Sequence, residues 1–266
     1  MALVFTILGC GSSAGVPRVA QGWGACDPNN PKNRRQRCSL LVQKSAGNGT
    51  TTVLVDTSPD LREQLLETHV THLDGVLFTH DHADHTHGID DLRPIFIHNR
   101  RRVDVFADAP TSAVLHARFG YCFSTPKDSE YPPILTEHRM AAGEALSIEG
   151  KGGMVTALPF TQIHGDGQSL GFRFGGLAYS CDVSGIPDES VKTLRNLDVW
   201  IVDALRHRPH PSHFSLQESL AWIERIRPRR AILTNLHTDM DYATLRQTLP
   251  DGIEPAFDGM TVELDD

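Results

Sequence analysis

The chain has 266 residues, 39% hydrophobic and 22% charged, enough apolar material for one large domain with a sizeable core. Its formal net charge of −8 provides no general field for long polyanions, which weighs against a nucleic-acid coat protein. No apolar run reaches bilayer-spanning length, so no membrane segment is expected.

Leu3–Leu8 reads as a buried strand running into Gly9–Pro17, where small residues allow tight turns beside a ligand. Trp23–Arg37 is polar and reads as a surface loop. Ser39–Val42 and Thr52–Val55 read as strands around a turn at Gly47-Asn48-Gly49. Ser58-Pro59 looks like a helix start with Ser58 as cap, and Leu61, Leu65 and Leu66 supply its apolar stripe. Gly75–Thr79 is a short buried strand, followed by a strand at Val103–Ala107, a helix at Thr111–Phe119 and a Pro-rich loop at Pro132-Pro133. Further strands are expected at Val155–Leu158, Leu170–Phe174, Leu177–Ser180, Val199–Val202 and Ala231–Thr234, with helices at Leu216–Ile226 and Tyr242–Leu249. No linker divides the halves, and the pattern fits two sheets covered by helices in a single domain, 1–266.

The five cysteines, Cys10, Cys26, Cys38, Cys122 and Cys181, are scattered and never spaced C-x-x-C. Such spacing suits reduced thiols, and with no basic-flanked signal peptide at the start the cytoplasm is the expected compartment.

The chain holds 14 histidines, and only clustering gives them meaning. Thr79-His80-Asp81-His82-Ala83-Asp84-His85 packs three imidazoles and two carboxylates into one stretch after a strand. A solvated polar loop has no need of that density, whereas imidazole nitrogen with carboxylate oxygen is a ligand set for Zn²⁺, Mn²⁺ or Fe²⁺.

With these residues in view, the sequence resembles the metallo-β-lactamase superfamily, whose signature is H-x-H-x-D-H after a strand. The resemblance implies an α/β (α+β) class fold, an αββα sandwich of two mixed sheets flanked by helices. It implies two divalent ions, Zn²⁺ or Mn²⁺. His80 and His82 would bind the first, completed by His164, and Asp84 and His85 would bind the second, with Asp182 bridging both. The last histidine departs from the family: Leu233-Thr234-Asn235-Leu236-His237 has Asn235 at the gapless match, and His237, two residues on, is taken as the remaining ligand.

Within the superfamily the chain is similar to the PhnP-type phosphodiesterases. Shared segments are Gly15-Val16-Pro17, Arg34–Ser39, Asp182–Pro187, Ser212-His213 and Phe257–Met260. The likeness gives His213 the role of protonating the leaving alkoxide, with Asp84 orienting the nucleophile as well as binding metal. The structural zinc of PhnP is not expected, because only Cys26 of its cysteine loop remains and Thr238 occupies its late histidine position. Packing of Trp23 and turns at Pro28 and Pro31 are expected to hold that loop instead.

Two ions about 3.5–4 Å apart that share a hydroxide supply a nucleophile at neutral pH. The expected substrate is a small or cyclic phosphodiester, such as a cyclic nucleotide or cyclic sugar phosphate, with a homodimer possible and no long nucleic acid or membrane as partner. The rival readings are a tRNA 3′-processing endoribonuclease, a hydrolase of lactones or thioesters, and a non-catalytic carrier like PqqB, which Asp56–Arg62 resembles. Arg93, close behind the signature, is expected in an ion pair rather than on a phosphate.

Overall fold

The computed structural model describes residues 2–47 and 49–265. In chain order the strands of the first half are β1 (Ala2–Gly9), β2 (Ser39–Ala46), β3 (Gly49–Val55), β4 (Gly75–Leu77), β5 (Val103–Ala107) and β6 (Leu135–Arg139). They are interleaved with helices α1 (Leu61–Glu67), α2 (Ala83–Thr86), α3 (Arg93–Asn99) and α4 (Ala109–Phe123). The second half contains β7 (Leu146–Ile148), β8 (Val155–His164), β9 (Gly167–Phe174), β10 (Leu177–Ser180), α5 (Asp188–Val191), β11 (Val199–Asp203), α6 (Leu216–Ile226), β12 (Arg230–Thr234), α7 (Tyr242–Thr248), β13 (Ile253–Pro255) and β14 (Met260–Asp265).

These strands form two seven-stranded sheets, ordered β14-β1-β2-β3-β4-β5-β6 and β13-β12-β11-β10-β9-β8-β7. Each sheet is antiparallel at one end and parallel at the other: pairing switches from antiparallel to parallel at β3 in the first, and at β10 in the second. The expected αββα sandwich of mixed sheets is therefore what the chain forms.

Alternation along the strands builds the layers. Val53 and Val55 of β3 face the space between the sheets, joined there by Leu177 and Tyr179 of β10 and Ile201 of β11. Leu54 of β3 turns to the other face and packs against Leu61 and Leu65 of α1. Ala178, Trp200 and Val202 likewise meet Ile223 of α6 and Leu245 of α7. A strand buried on both faces needs apolar residues at every position, which is why these segments read as continuous hydrophobic runs.

Several local features differ from the sequence reading. α1 begins at Leu61, and Ser58 does not cap it: its hydroxyl donates to Gln64 Oε1 at 2.9 Å, and Asp60 at the N-cap position makes no side-chain capping bond. Leu66 is 54% exposed, so Leu61 and Leu65 alone form the stripe. Strands β6, β7, β13 and β14 were not foreseen. They lie at or beside sheet edges, where β6 (Leu-Thr-Glu-His-Arg) buries little and carries charge. The β2–β3 pairing runs to Ala46 opposite Gly49, and Asn48 of that turn lies outside the described residues.

The stretch Trp23–Arg37 is not simply a surface loop, because Cys26, Asn33 and Arg35 are buried. The Arg35 guanidinium donates to Met240 O at 2.7 Å, His237 O at 3.3 Å and Asn33 Oδ1 at 3.3 Å, and lies 3.8 Å from Cys26 Sγ. Asn33 in turn donates to Asp241 at 2.7 Å. Carbonyls at a chain turn attract a buried guanidinium, so the loop is tied by a polar clasp rather than by Trp23, which is only half-buried.

A second, partly buried polar group pins the glycine loop. Asp258 accepts from Gln36 N at 2.6 Å and from Cys10 N at 3.0 Å. Burial pushes its carboxyl up to about 7, against the lowering effect of those bonds. Between the ordinary carboxylate range and that value the folded chain holds a proton that the unfolded chain has lost. Its contribution to stability is therefore present at low pH and declines as pH rises toward 7. Unfolding of Asp258→Asn and wild type, compared from pH 5 to 8, is expected to show the wild type losing stability relative to the variant with rising pH, by up to about 3 kcal/mol. A constant difference across that range would refute the shifted titration.

Candidate metal centre

Parallel strands leave their C-terminal ends at one edge of a sheet, and loops leaving those ends can converge there. Asp56 follows β3, the histidine cluster follows β4, Asp182 follows β10, Asp203 ends β11 and Asn235 follows β12. His164 ends β8, an element that extends well past the predicted Leu158.

His80, His82, His164 and Asp182 place ligand atoms within 4.8 Å of one another, and so do Asp84, His85 and Asp182. Asp182 belongs to both groups. Its Oδ2 lies 3.7 Å from His80 Nε2 and 3.5 Å from His164 Nε2, while its Oδ1 lies 3.3 Å from His85 Nε2. The short helix α2 turns Asp84 and His85 together, with Asp84 Oδ2 3.4 Å from His85 Nε2.

The imidazoles are aimed by bonds on their outer nitrogens. His80 Nδ1 is 2.9 Å from Thr79 Oγ1, whose hydroxyl donates to Asp56 Oδ2 at 2.8 Å. His85 Nδ1 donates to the same Asp56 oxygen at 2.7 Å, and His164 Nδ1 donates to Ser212 O at 2.6 Å. Each bond places the proton on Nδ1 and leaves the Nε2 lone pair facing inward, as a metal ligand requires. Sequence reading did not single out Asp56 as a site residue. Its signal was its place directly after a buried strand, and its backbone φ of 64° lies in the left-handed region that aspartate tolerates better than most residues.

A divalent cation fits this donor set. His80 Nε2 is buried without a hydrogen-bond partner, an arrangement that is costly unless something binds there. Burial holds the His80 imidazole well below its usual pKa, so it is neutral and free to donate its lone pair. A cavity of about 460 Å³ opens beside His80, His82 and His164, a size suited to a small molecule. A larger cavity of about 650 Å³ is lined by residues preceding β4, β5 and β8, and it brings together mixed charges but none of these donors.

His213 stands next to the cluster. Its Nδ1 donates to Asp203 Oδ2 at 2.8 Å, and its Nε2 lies 3.8 Å from Asp182 Oδ2. Burial works to lower the imidazole, but the Asp203 carboxylate outweighs it and raises His213 to about 9. Burial in turn pushes Asp203 up to about 7, with His213 opposing. Asp203 was also missed in the sequence, where it reads only as the end of a hydrophobic strand.

The structure does not bring His237 into either donor group. Its Nε2 is 2.6 Å from Arg18 Nη1, and its Nδ1 faces Thr238 Oγ1 at 3.1 Å. Asn235 borders the cluster instead, its amide donating to Asp182 Oδ1 at 3.1 Å. Arg93 pairs with Asp90 at 3.0 Å, as the sequence suggested.

An αββα sandwich with histidines and aspartates converging at the strand ends defines a metallo-hydrolase of the β-lactamase superfamily. The chain belongs to that superfamily: residues 51–235 match the model of the beta-lactamase superfamily domain. A PhnP-family diphosphatase of known structure superposes with a TM-score of 0.89 at 36% identity, covering 99% of this chain and 98% of the other. Zinc-bound PqqB from Methylobacterium extorquens has a TM-score of 0.75 at 16% identity over 98% and 100% of the two chains, a likeness of fold alone. The chain is also 31% identical over 265 residues to an octanoyltransferase of Porphyromonas gingivalis W83. That match covers 98% of this chain, but the chain spans only about half the relative's length, 51%. Family and donor cluster together imply divalent metal binding. Among the described residues no helix is long and apolar enough to cross a membrane.

Proposed function

We propose that this chain is a phosphodiesterase of small or cyclic phosphodiesters that works with two divalent cations. His80, His82, His164 and Asp182 would hold one, and Asp84, His85 and Asp182 the other. When bound, such cations lower the pKa of water and neutralise charge that builds on phosphate oxygens. The rest falls to the chain's own side chains. Asp84, partly open to solvent at 18% side-chain exposure, can hold a water by a hydrogen bond at the edge of the cluster. Asp203 fixes His213 through Nδ1, so that the Nε2 proton points toward the cluster and can pass to a departing oxygen.

The observation that carries this reading is the His213–Asp203 pair beside the donor cluster. A metal carrier has no need of an oriented proton donor. The 36% identity to a PhnP-family diphosphatase over nearly the whole of both chains supports the same class. Acyl transfer, suggested by the octanoyltransferase relative, finds little support: Cys38 and Cys181, near the cluster, are fully buried, and burial pushes both thiols up, away from the reactive thiolate. A net charge of −8 favours a small substrate over precursor tRNA.

A substrate panel on the metal-reconstituted protein tests the proposal. Turnover of an aryl phosphodiester or a 2′,3′-cyclic nucleotide is expected to exceed cleavage of precursor tRNA and hydrolysis of lactones. Efficient tRNA trimming, or lactone hydrolysis with no diesterase activity, would move the protein to another branch of the superfamily.

A further inference from the structure

We infer that the cavity of about 650 Å³, away from the metal centre, is a second ligand site that takes a small phosphorylated polyol such as a sugar phosphate. Its walls are the segments that lead into β4, β5 and β8. The cation donors stand at the other ends of two of those strands, His80 and His82 after β4 and His164 at the close of β8. The inference therefore does not depend on how the metal centre is read.

The cavity is held open by its own walls. On one side Leu73, Ile95 and Val103 line it with buried apolar side chains. On another, the turn Glu149-Gly150-Lys151 is pressed against β3 and the residue before β4: a Cβ on Gly150 would lie 2.5 Å from Thr51 Oγ1 and 2.7 Å from Asp74 Oδ2. The buried Thr51 hydroxyl fixes that turn, donating to Gly153 O at 2.6 Å and accepting from Gly152 N at 3.0 Å. A preformed cavity of this size, with an apolar wall and a few polar groups, suits a small organic ligand.

Its charged groups divide into those already engaged and those left to meet a ligand. Asp74 Oδ2 accepts from Thr52 N at 2.9 Å and lies 3.6 Å from His72 Nε2, and Arg101 pairs with Asp104 at 2.8 Å. Arg102, Lys151 and Glu149 are exposed at the rim, and none of them has an ion-pair partner among the described residues. Two cations left without a carboxylate, on a chain of net charge −8, mark the place of an anion, and a guanidinium with an ammonium suits phosphate. Inorganic phosphate alone would leave most of the volume empty and would face the Glu149 carboxylate. A phosphorylated polyol meets both demands: its hydroxyls donate to Glu149, and its carbon skeleton covers the apolar wall.

Calorimetric titration of the metal-loaded protein with glucose 6-phosphate, inorganic phosphate and glucose tests this without recourse to activity. Glucose 6-phosphate is expected to bind with a dissociation constant below about 1 mM, and about tenfold or more tighter than either of the others. Arg102→Glu combined with Lys151→Glu is expected to weaken that binding by about tenfold or more, and Glu149→Gln to narrow the preference over inorganic phosphate. Asp182→Ala, which acts on the metal centre, should keep it. The three rim residues are exposed, and circular dichroism checks that their variants are folded. Binding that survives the double charge reversal but is lost in Asp182→Ala would put the ligand at the metal centre and overturn the inference. So would the absence of saturable binding by wild type, or inorganic phosphate bound as tightly as glucose 6-phosphate.

Discussion

Asp182→Ala is expected to lose most bound metal and to reduce turnover by roughly 10³-fold or more. The residue is nine-tenths or more buried and is the only member common to both donor groups, with one oxygen toward His80 and His164 and the other toward His85. Charge stabilisation by bound cations contributes several kcal/mol to such reactions, and each 1.36 kcal/mol is a factor of ten in rate. Without the carboxylate, the surrounding imidazoles also lose the group that balances a cation's charge least expensively in a buried setting. His82→Ala, on the exposed side of the first group, should weaken metal binding without opening the core, and the double variant should retain the least metal. Elemental analysis after dialysis, alongside circular dichroism, separates metal loss from unfolding. Wild-type metal content in the double variant would refute the assignment of the cluster.

His213→Ala tests the proton donor. If Nε2 serves the leaving group, the variant keeps its metal and fold, and its rate on a diester with an alkoxide leaving group falls by roughly 10²–10⁴. A nitrophenolate departs without a proton, so hydrolysis of a nitrophenyl diester should fall far less. Asp203→Asn should show the same selectivity to a smaller degree, because it weakens the bond that orients the ring without removing the ring. Equal losses on both esters with metal retained would mean that His213 positions substrate rather than donating a proton.

How far the site was legible follows from how local its chemistry is. His80, His82, Asp84 and His85 lie within six residues, and their density after a buried strand is a signal that no distant part of the chain has to complete. Assigning His164, Asp182 and His213 depended on family resemblance, since a lone histidine or aspartate at a strand end carries no signature of its own. The structure places all three beside the cluster through the ends of β8 and β10 and the loop after β11. Asp56 and Asp203 escaped notice because their work is done on other side chains, through bonds to His85, Thr79 and His213 that no spacing reveals.

The layered fold was largely written in hydrophobic pattern, because strands covered on both faces must be apolar throughout. Edge strands such as β6, which bury little, left no such trace. The chain's own order therefore determined the αββα class and the core of the metal signature. Which residues surround the donors Asp84, His85 and Asp182 was decided only by tertiary structure. Sequence reading took His237 over Asn235, but in the folded chain His237 lies against Arg18, 219 positions away in the chain, and Asn235 is the residue that borders Asp182. A side chain's partner depends on which loops the fold brings together, and that is a property of the folded chain rather than of any segment of it.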